Sequence, residues 1–219
     1  MSTDSAGAVL FAMYISRQHV GSSRVLFEGV EAARHLRQVM SPSVPLLLYA
    51  NALAMARLPL AQSDSKLSSA PWDERHEVTF DRRVRAHLSV LPSARRRQVL
   101  LRAAPYLFKL SALLLVRADR VLFLDCDVLV IQPSFVHAML GNVLRVADVA
   151  MPLDPGREPR LTDGKPPWAI QSAGPPPLCS AVLAYRKTNA TDALWHGAAR
   201  RLALSMHPEA RQGDQEMIW

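Results

Sequence analysis

The chain has 219 residues, 49% of them apolar and 21% charged, with a net charge of +7 carried mostly by arginine. That size and composition suit one α/β domain, or one and a half, around an ordinary apolar core. Two well-separated cysteines, Cys126 and Cys179, exclude a disulfide framework and a zinc site of familiar spacing.

Both cysteines lie in apolar runs and are expected as buried free thiols, which leaves the cellular compartment open. The basic patches "DRRVRAH" (81–87) and "ARRRQ" (94–98) raise a nucleic-acid reading. They sit on Ala-rich amphipathic segments without interleaved aromatics or a recognised motif, so solvated helix faces and no nucleic-acid partner are expected. A positive field also suits an anionic small substrate such as a nucleotide diphosphate. No leader or anchor pattern is visible. The run "LSALLLV" (110–116) is far shorter than the ~20 residues of a membrane span, so no membrane segment is expected in this chain. The ending "GDQEMIW" stops at Trp219 without a polar exit, as a fragment would.

In chain order, "AVLFAMYI" (8–15) reads as a buried strand. A helix is predicted over about 22–40, where Val25, Leu26, Val30, Ala33, Leu36 and Val39 recur at helical spacing. "VPLLLYAN" (44–51) is a second buried strand, and the β-α-β rhythm predicts a parallel sheet covered by helices. Residues 52–76 carry little pattern beyond a polar loop, "QSDSKLSSAPWDE", before a short strand in "HEVTF" (76–80). Helices are predicted at about 93–103 and 105–116, with Pro105 in the first turn of the second. "RVLFLDCDVLV" (120–130) is a strand. A helix from Ser134, a strand "DVAMP" (148–152) and a long Pro/Gly-rich loop (153–177) follow; a loop of that length is usually functional or disordered. The strand "LCSAVLAYR" (178–186) precedes a helix at about 190–206, capped by Thr188 or Asn189.

Asp125 and Asp127 interrupt the apolar run 120–130, and acids there require a partner. In an open α/β sheet, ligands bind at the carboxyl ends of parallel strands. Carboxylates at i and i+2 share a strand face and repel unless a cation joins them. Oxygen ligands of this kind suit Mg²⁺ or Mn²⁺, which completes its shell from water and substrate phosphates. Three readings stand. The acids hydrogen-bond to backbone or arginine at a structural strand end; or Asp125 is the nucleophile and Asp127 the general acid of an aspartyl-phosphate phosphatase; or both hold a metal at a sugar-nucleotide site. Against the phosphatase, its motif normally opens the first strand, and its second acidic cluster is missing.

Three segments in order carry a resemblance: "FKLSALLLVRADRVLFLDCDVLVIQPS", "LCSAVLAYRKTNATDALW" and "GDQEMIW". Together they resemble the D-x-D motif, the following strand-plus-helix and the Asp-Gln motif of nucleotide-diphospho-sugar transferases, glycosyltransferases of the GT-A fold. The resemblance implies an α/β, Rossmann-like, mixed but mostly parallel sheet with helices on both faces. It implies one domain over 1–219, with a nucleotide- and metal-binding half (1–152), the Pro-rich loop (153–177) and a sugar and acceptor half (178–219). The implied activity is metal-dependent transfer of a sugar from a nucleotide-diphosphate sugar to a carbohydrate or glycoprotein acceptor, with retention. Asp125 and Asp127 would hold Mn²⁺ or Mg²⁺, and Lys109 would pair with the diphosphate or Asp125 unless it is a solvated helix residue. Asp214 and Gln215 would lie near the sugar and its reacting carbon; otherwise Asp214 is a helix cap. Tyr14, Ser16 and Arg17 would lie near the base, with Asn51 a further strand-end residue. A Golgi lumen is the family's location.

The chain departs from the family where Cys179-Ser180-Ala181 replaces Asn-Ser-Gly or Asn-Thr-Gly, and where a downstream histidine usually supplies a third metal ligand. His137, His196 and His207 fall at surface-like helix positions. An inactive binding or scaffold domain of the same type is the non-enzymatic alternative. Asn189-Ala190-Thr191 is an N-glycosylation motif or a helix cap.

Overall fold

The computed structural model describes residues 7–16, 22–40, 43–63, 71–132, 134–152 and 179–205. Its strands β1 (Gly7–Met13), β2 (Leu46–Ala50), β3 (Glu74–Glu77), β4 (Arg120–Leu124), β5 (Val149–Ala150) and β6 (Val182–Arg186) form one six-stranded sheet in the order β3-β2-β1-β4-β6-β5. The first four are mutually parallel, and β6 runs antiparallel to both β4 and β5. The chain is therefore of the α/β class, with a mixed, mostly parallel, Rossmann-like sheet. Every residue of β2 is buried, and β1 and β4 are nearly so, because helices cover both faces.

Alternation divides the core in two. Val9, Phe11, Leu48, Leu122 and Leu124 face helices α1 (Ser22–Val39) and α2 (Ala52–Ser63), together with the short run after Ser134. Leu10, Leu47, Tyr49, Val121, Phe123 and Tyr185 face α3 (Arg82–Ser89), α4 (Ser93–Leu115) and α7 (Asn189–Ser205). The run after Ser134 is α5 (Ser134–His137), a π-helical stretch (Ala138–Val143) and α6 (Leu144–Val146). At Gly29 of α1 a Cβ would overlap the Met13 terminal methyl and press on Cys126 Sγ, so glycine permits the close approach of helix to sheet.

Several sequence expectations change. The helices predicted on either side of Pro105 are one 23-residue helix. An interior proline costs about 3 kcal/mol, but Val99, Ala103, Ala104, Leu107 and Phe108 are buried around it. Burial of one large apolar side chain is worth about 1.5–3 kcal/mol, so packing carries the helix through. By length and composition α4 is apolar enough to cross a membrane, as the core helix of a soluble fold can also be, and it packs on the sheet. Helix α2, which runs through Pro59, and helix α3 were not predicted. The loop 153–177 lies outside the described residues.

Candidate functional site

The chain places β2 and β3 on one side of β1 and returns to place β4 on the other. The carboxyl ends of β1 and β4 therefore flank the point where strand order reverses, the usual ligand position in open α/β sheets. Asp125 follows the last residue of β4 directly, and its backbone N–H donates to Ala181 O at 2.8 Å. A tight turn follows, closed by Val128 N–H on Asp125 O at 3.1 Å. It leaves Asp125 half-buried, Cys126 buried and Asp127 exposed.

Lys109 meets Asp125 from α4. Its ammonium lies 3.1 Å from one carboxylate oxygen and 3.2 Å from the other. It also donates to Ser180 O at 2.7 Å and Ser180 Oγ at 3.1 Å, and stands 4.7 Å above the Phe123 ring. Lys109 is thus buried and oriented, not a solvated helix lysine. The antiparallel pairing of β6 with β4 explains why Ser180 and Ala181, in the segment that departs from the transferase pattern, stand beside Asp125 and its lysine.

Between the acids, Cys126 points the other way. Its thiol sits 3.7 Å from Ala12 O, and burial first, then the charges of Asp125 and Asp127, push its pKa far up. It is a buried, neutral thiol. Cys179 is half-buried, and both cysteines are free. Asp127 faces the exposed start of α1, where Arg24 is held protonated mainly by Glu28, with Asp127 contributing.

At the end of β1, Tyr14 is half-buried between the rings of Phe108 (5.4 Å) and Phe80 (6.1 Å). Desolvation raises its pKa, so the phenol is protonated. Tyr14 and Ser16 line a cleft of about 330 Å³ with Ser93, Arg96, Arg97 and Leu100. Arg96 is committed to the end of α3, donating to the carbonyls of Leu88, Ser89 and Leu91 at 2.8, 2.8 and 3.1 Å. Arg97 is exposed. The sequence reading saw these arginines only as a basic run; their meeting with Tyr14 depends on α4 running antiparallel to the strands.

Asn51 is a structural clamp. Its amide donates to Ile15 O at 2.7 Å, and its oxygen accepts from Ile15 N at 3.1 Å and Ala54 N at 3.1 Å, so it fixes the exit of β1 and caps α2. His196 is not a lone surface residue, since its Nε2 lies 2.9 Å from Nε2 of His87. His137 is exposed. Arg17, His207, Asp214 and Gln215 lie outside the described residues.

The structure thus brings Lys109, Asp125, Asp127, Tyr14 and Ser16 to one end of the sheet. Two accessible carboxylates with only oxygen donors fit a hard divalent cation that takes its remaining ligands from water and phosphate. Among the described residues no group of three or more His, Cys, Asp or Glu forms a larger ligand set. No family model matches the sequence, and no curated protein matches it. Among solved structures, 4-diphosphocytidyl-2C-methyl-D-erythritol synthase from Anaerococcus prevotii DSM 20548 is similar over 98% of this chain and 83% of that chain, with a TM-score of 0.43 and 10% sequence identity. Nothing about ligand or activity follows from a likeness of that degree.

Proposed function

We propose that the chain is a glycosyltransferase that moves a sugar from a nucleotide-diphosphate sugar to an acceptor with the help of a divalent cation. The observation that supports this best is the carboxyl pair at the tip of β4, beside β1 where strand order reverses, with a buried lysine aimed at the first acid. Asp125 and Asp127 would hold Mn²⁺ or Mg²⁺. When bound, that ion neutralises charge on the diphosphate leaving group.

The chain's own residues have the remaining work. Lys109 holds Asp125 in place and keeps positive charge at the tip of β4, where it favours a diphosphate. Tyr14, Ser16 and Arg97 present two hydroxyls and a guanidinium to the cleft at the end of β1, suited to the nucleoside end of the donor. Arg17 is proposed beside them, and Asp214 and Gln215 near the sugar ring, on the sequence resemblance. In the reaction the bond from the anomeric carbon to the diphosphate oxygen breaks. An acceptor hydroxyl oxygen bonds to that carbon, and its proton passes to the departing diphosphate oxygen or to water.

Release of nucleoside diphosphate from a panel of sugar nucleotides with Mn²⁺ tests this reading. Wild-type protein should turn over at least one donor, and D125A and D127A should each lose that turnover while remaining folded. Several kcal/mol of transition-state stabilisation are at stake. Full activity of both variants in chelator would reject the metal-bound reading. Phosphate release from an aryl phosphate, without donor turnover, would support a phosphatase.

A further inference from the structure

A second cleft, of about 570 Å³, runs along the sheet face under β2 and β3. Its volume lies within the ~300–1,000 Å³ of small-molecule sites. It begins near the amino ends of the strands, at Ala8 and Leu47, so it is separate from the acid pair beyond β4.

The chemistry of this cleft follows from strand register. Leu47 pairs with Glu74 and Tyr49 with His76, so these four share the sheet face that α4 covers farther in. Helix α4 ends at Leu115, and the link Arg117, Ala118, Asp119 forms the opposite wall. The floor is apolar, with Ala8, Leu47 and Tyr49 all buried. Edge strands do carry inward charges to block pairing, but here they are organised. His76 Nε2 lies 2.9 Å from Glu74 Oε2, and its ring meets Tyr49 edge-on with centroids 4.7 Å apart. Burial and Glu74 raise the Tyr49 pKa while Arg117 lowers it, so the phenol is protonated, and it lines the same cleft as Arg117. Arg117 is exposed on the rim and forms no ion pair among the described residues.

We propose that this cleft binds an organic monocarboxylate with an apolar body. The body lies on Ala8, Leu47 and the Tyr49 ring, and the carboxylate accepts from the planar guanidinium of Arg117 and the Tyr49 hydroxyl. A planar carboxylate matches the fork of an arginine. Glu74 and Asp119 on the rim repel a dianion more than a monoanion, which selects carboxylate over phosphate ester. The site is independent of the transferase reading.

Calorimetry of the full chain with octanoate, octanol and octyl phosphate tests it. Octanoate should bind saturably and about tenfold tighter than either size-matched probe, since a charge-assisted hydrogen bond is worth that much. R117M should lose that advantage, and A118W, which fills the cleft, should abolish binding; both should unfold at the wild-type temperature. Octanoate binding no tighter than octanol or octyl phosphate overturns the proposal, as does unchanged octanoate binding by R117M.

Discussion

The buried ammonium of Lys109, on α4, lies 3.1 Å from a carboxylate oxygen of Asp125, sixteen residues later at the tip of β4. That pair joins the helix to the strand end, and its bonds to Ser180 bring in the third segment. Replacing Lys109 with Met keeps most of the stem but removes its bonds to the Ser180 carbonyl and hydroxyl and to the Asp125 carboxylate. The Asp125 side chain is 36% exposed and can rehydrate, which limits the loss. K109M should cost about 2–3 kcal/mol of unfolding free energy, typical of hydrogen bonds to charged groups, read as a lower urea midpoint. An unchanged midpoint would mean that the lysine is not held in this way.

His87 of α3 and His196 of α7 should make that helix contact sensitive to acid. Burial first, then His196 and Arg200, lowers the His87 pKa below its ordinary 6.5. A base with a lowered folded pKa resists protonation in the folded state. Its contribution is present above 6.5 and is lost as the pH falls below that value toward the folded pKa. Unfolding free energy measured from about pH 7.5 to pH 5 should fall more steeply for wild type than for H87F. Parallel curves would show that the pair carries no such linkage.

Thr191, in the motif Asn189-Ala190-Thr191, has a structural task at the start of α7, where Thr188 is the cap. Its buried hydroxyl donates to Arg186 O at 2.7 Å and accepts from Thr188 N at 3.0 Å, while Thr188 Oγ1 accepts from Thr191 N at 3.2 Å. T191V should destabilise by about 1 kcal/mol, because a part-buried N–H and a carbonyl lose a partner. T188A should cost about 1 kcal/mol, as N-cap losses do. Chemical denaturation of both variants checks this, and neutral values would contradict these bonds' role at the start of α7.

What could be read from the sequence was what is local. The continuous apolar runs of β1, β2 and β4 announce strands buried on both faces, and the spacing in α1 fits only a helix. The acids Asp125 and Asp127 stood out because a hydrophobic run tolerates them only at an opening. Pro105 misled, since a helix break is a local preference and the packing of Val99 and Phe108 is tertiary. Helix α3 was missed because Val84 and Leu88 are its only buried residues among arginines, although Asp81 caps its start at 2.8 Å on Arg83 N. The contacts that build the site were the least legible. Lys109 and Ser180 are 71 residues apart, and His87 and His196 are 109 apart; only the antiparallel turn of β6 and the packing of α7 bring them together.

Asp127 gives the most direct test of the cation proposed at the tip of β4, because it is exposed and outside the core. D127N should leave stability within about 0.5 kcal/mol of wild type, as for ordinary surface changes. Titration of nucleoside diphosphates into wild-type protein should show saturable binding that requires Mn²⁺ and vanishes in chelator. In D127N the affinity for at least one nucleotide should fall by about tenfold or more, equivalent to about 1.4 kcal/mol. Nucleotide binding that is indifferent to metal and identical in D127N would contradict the account.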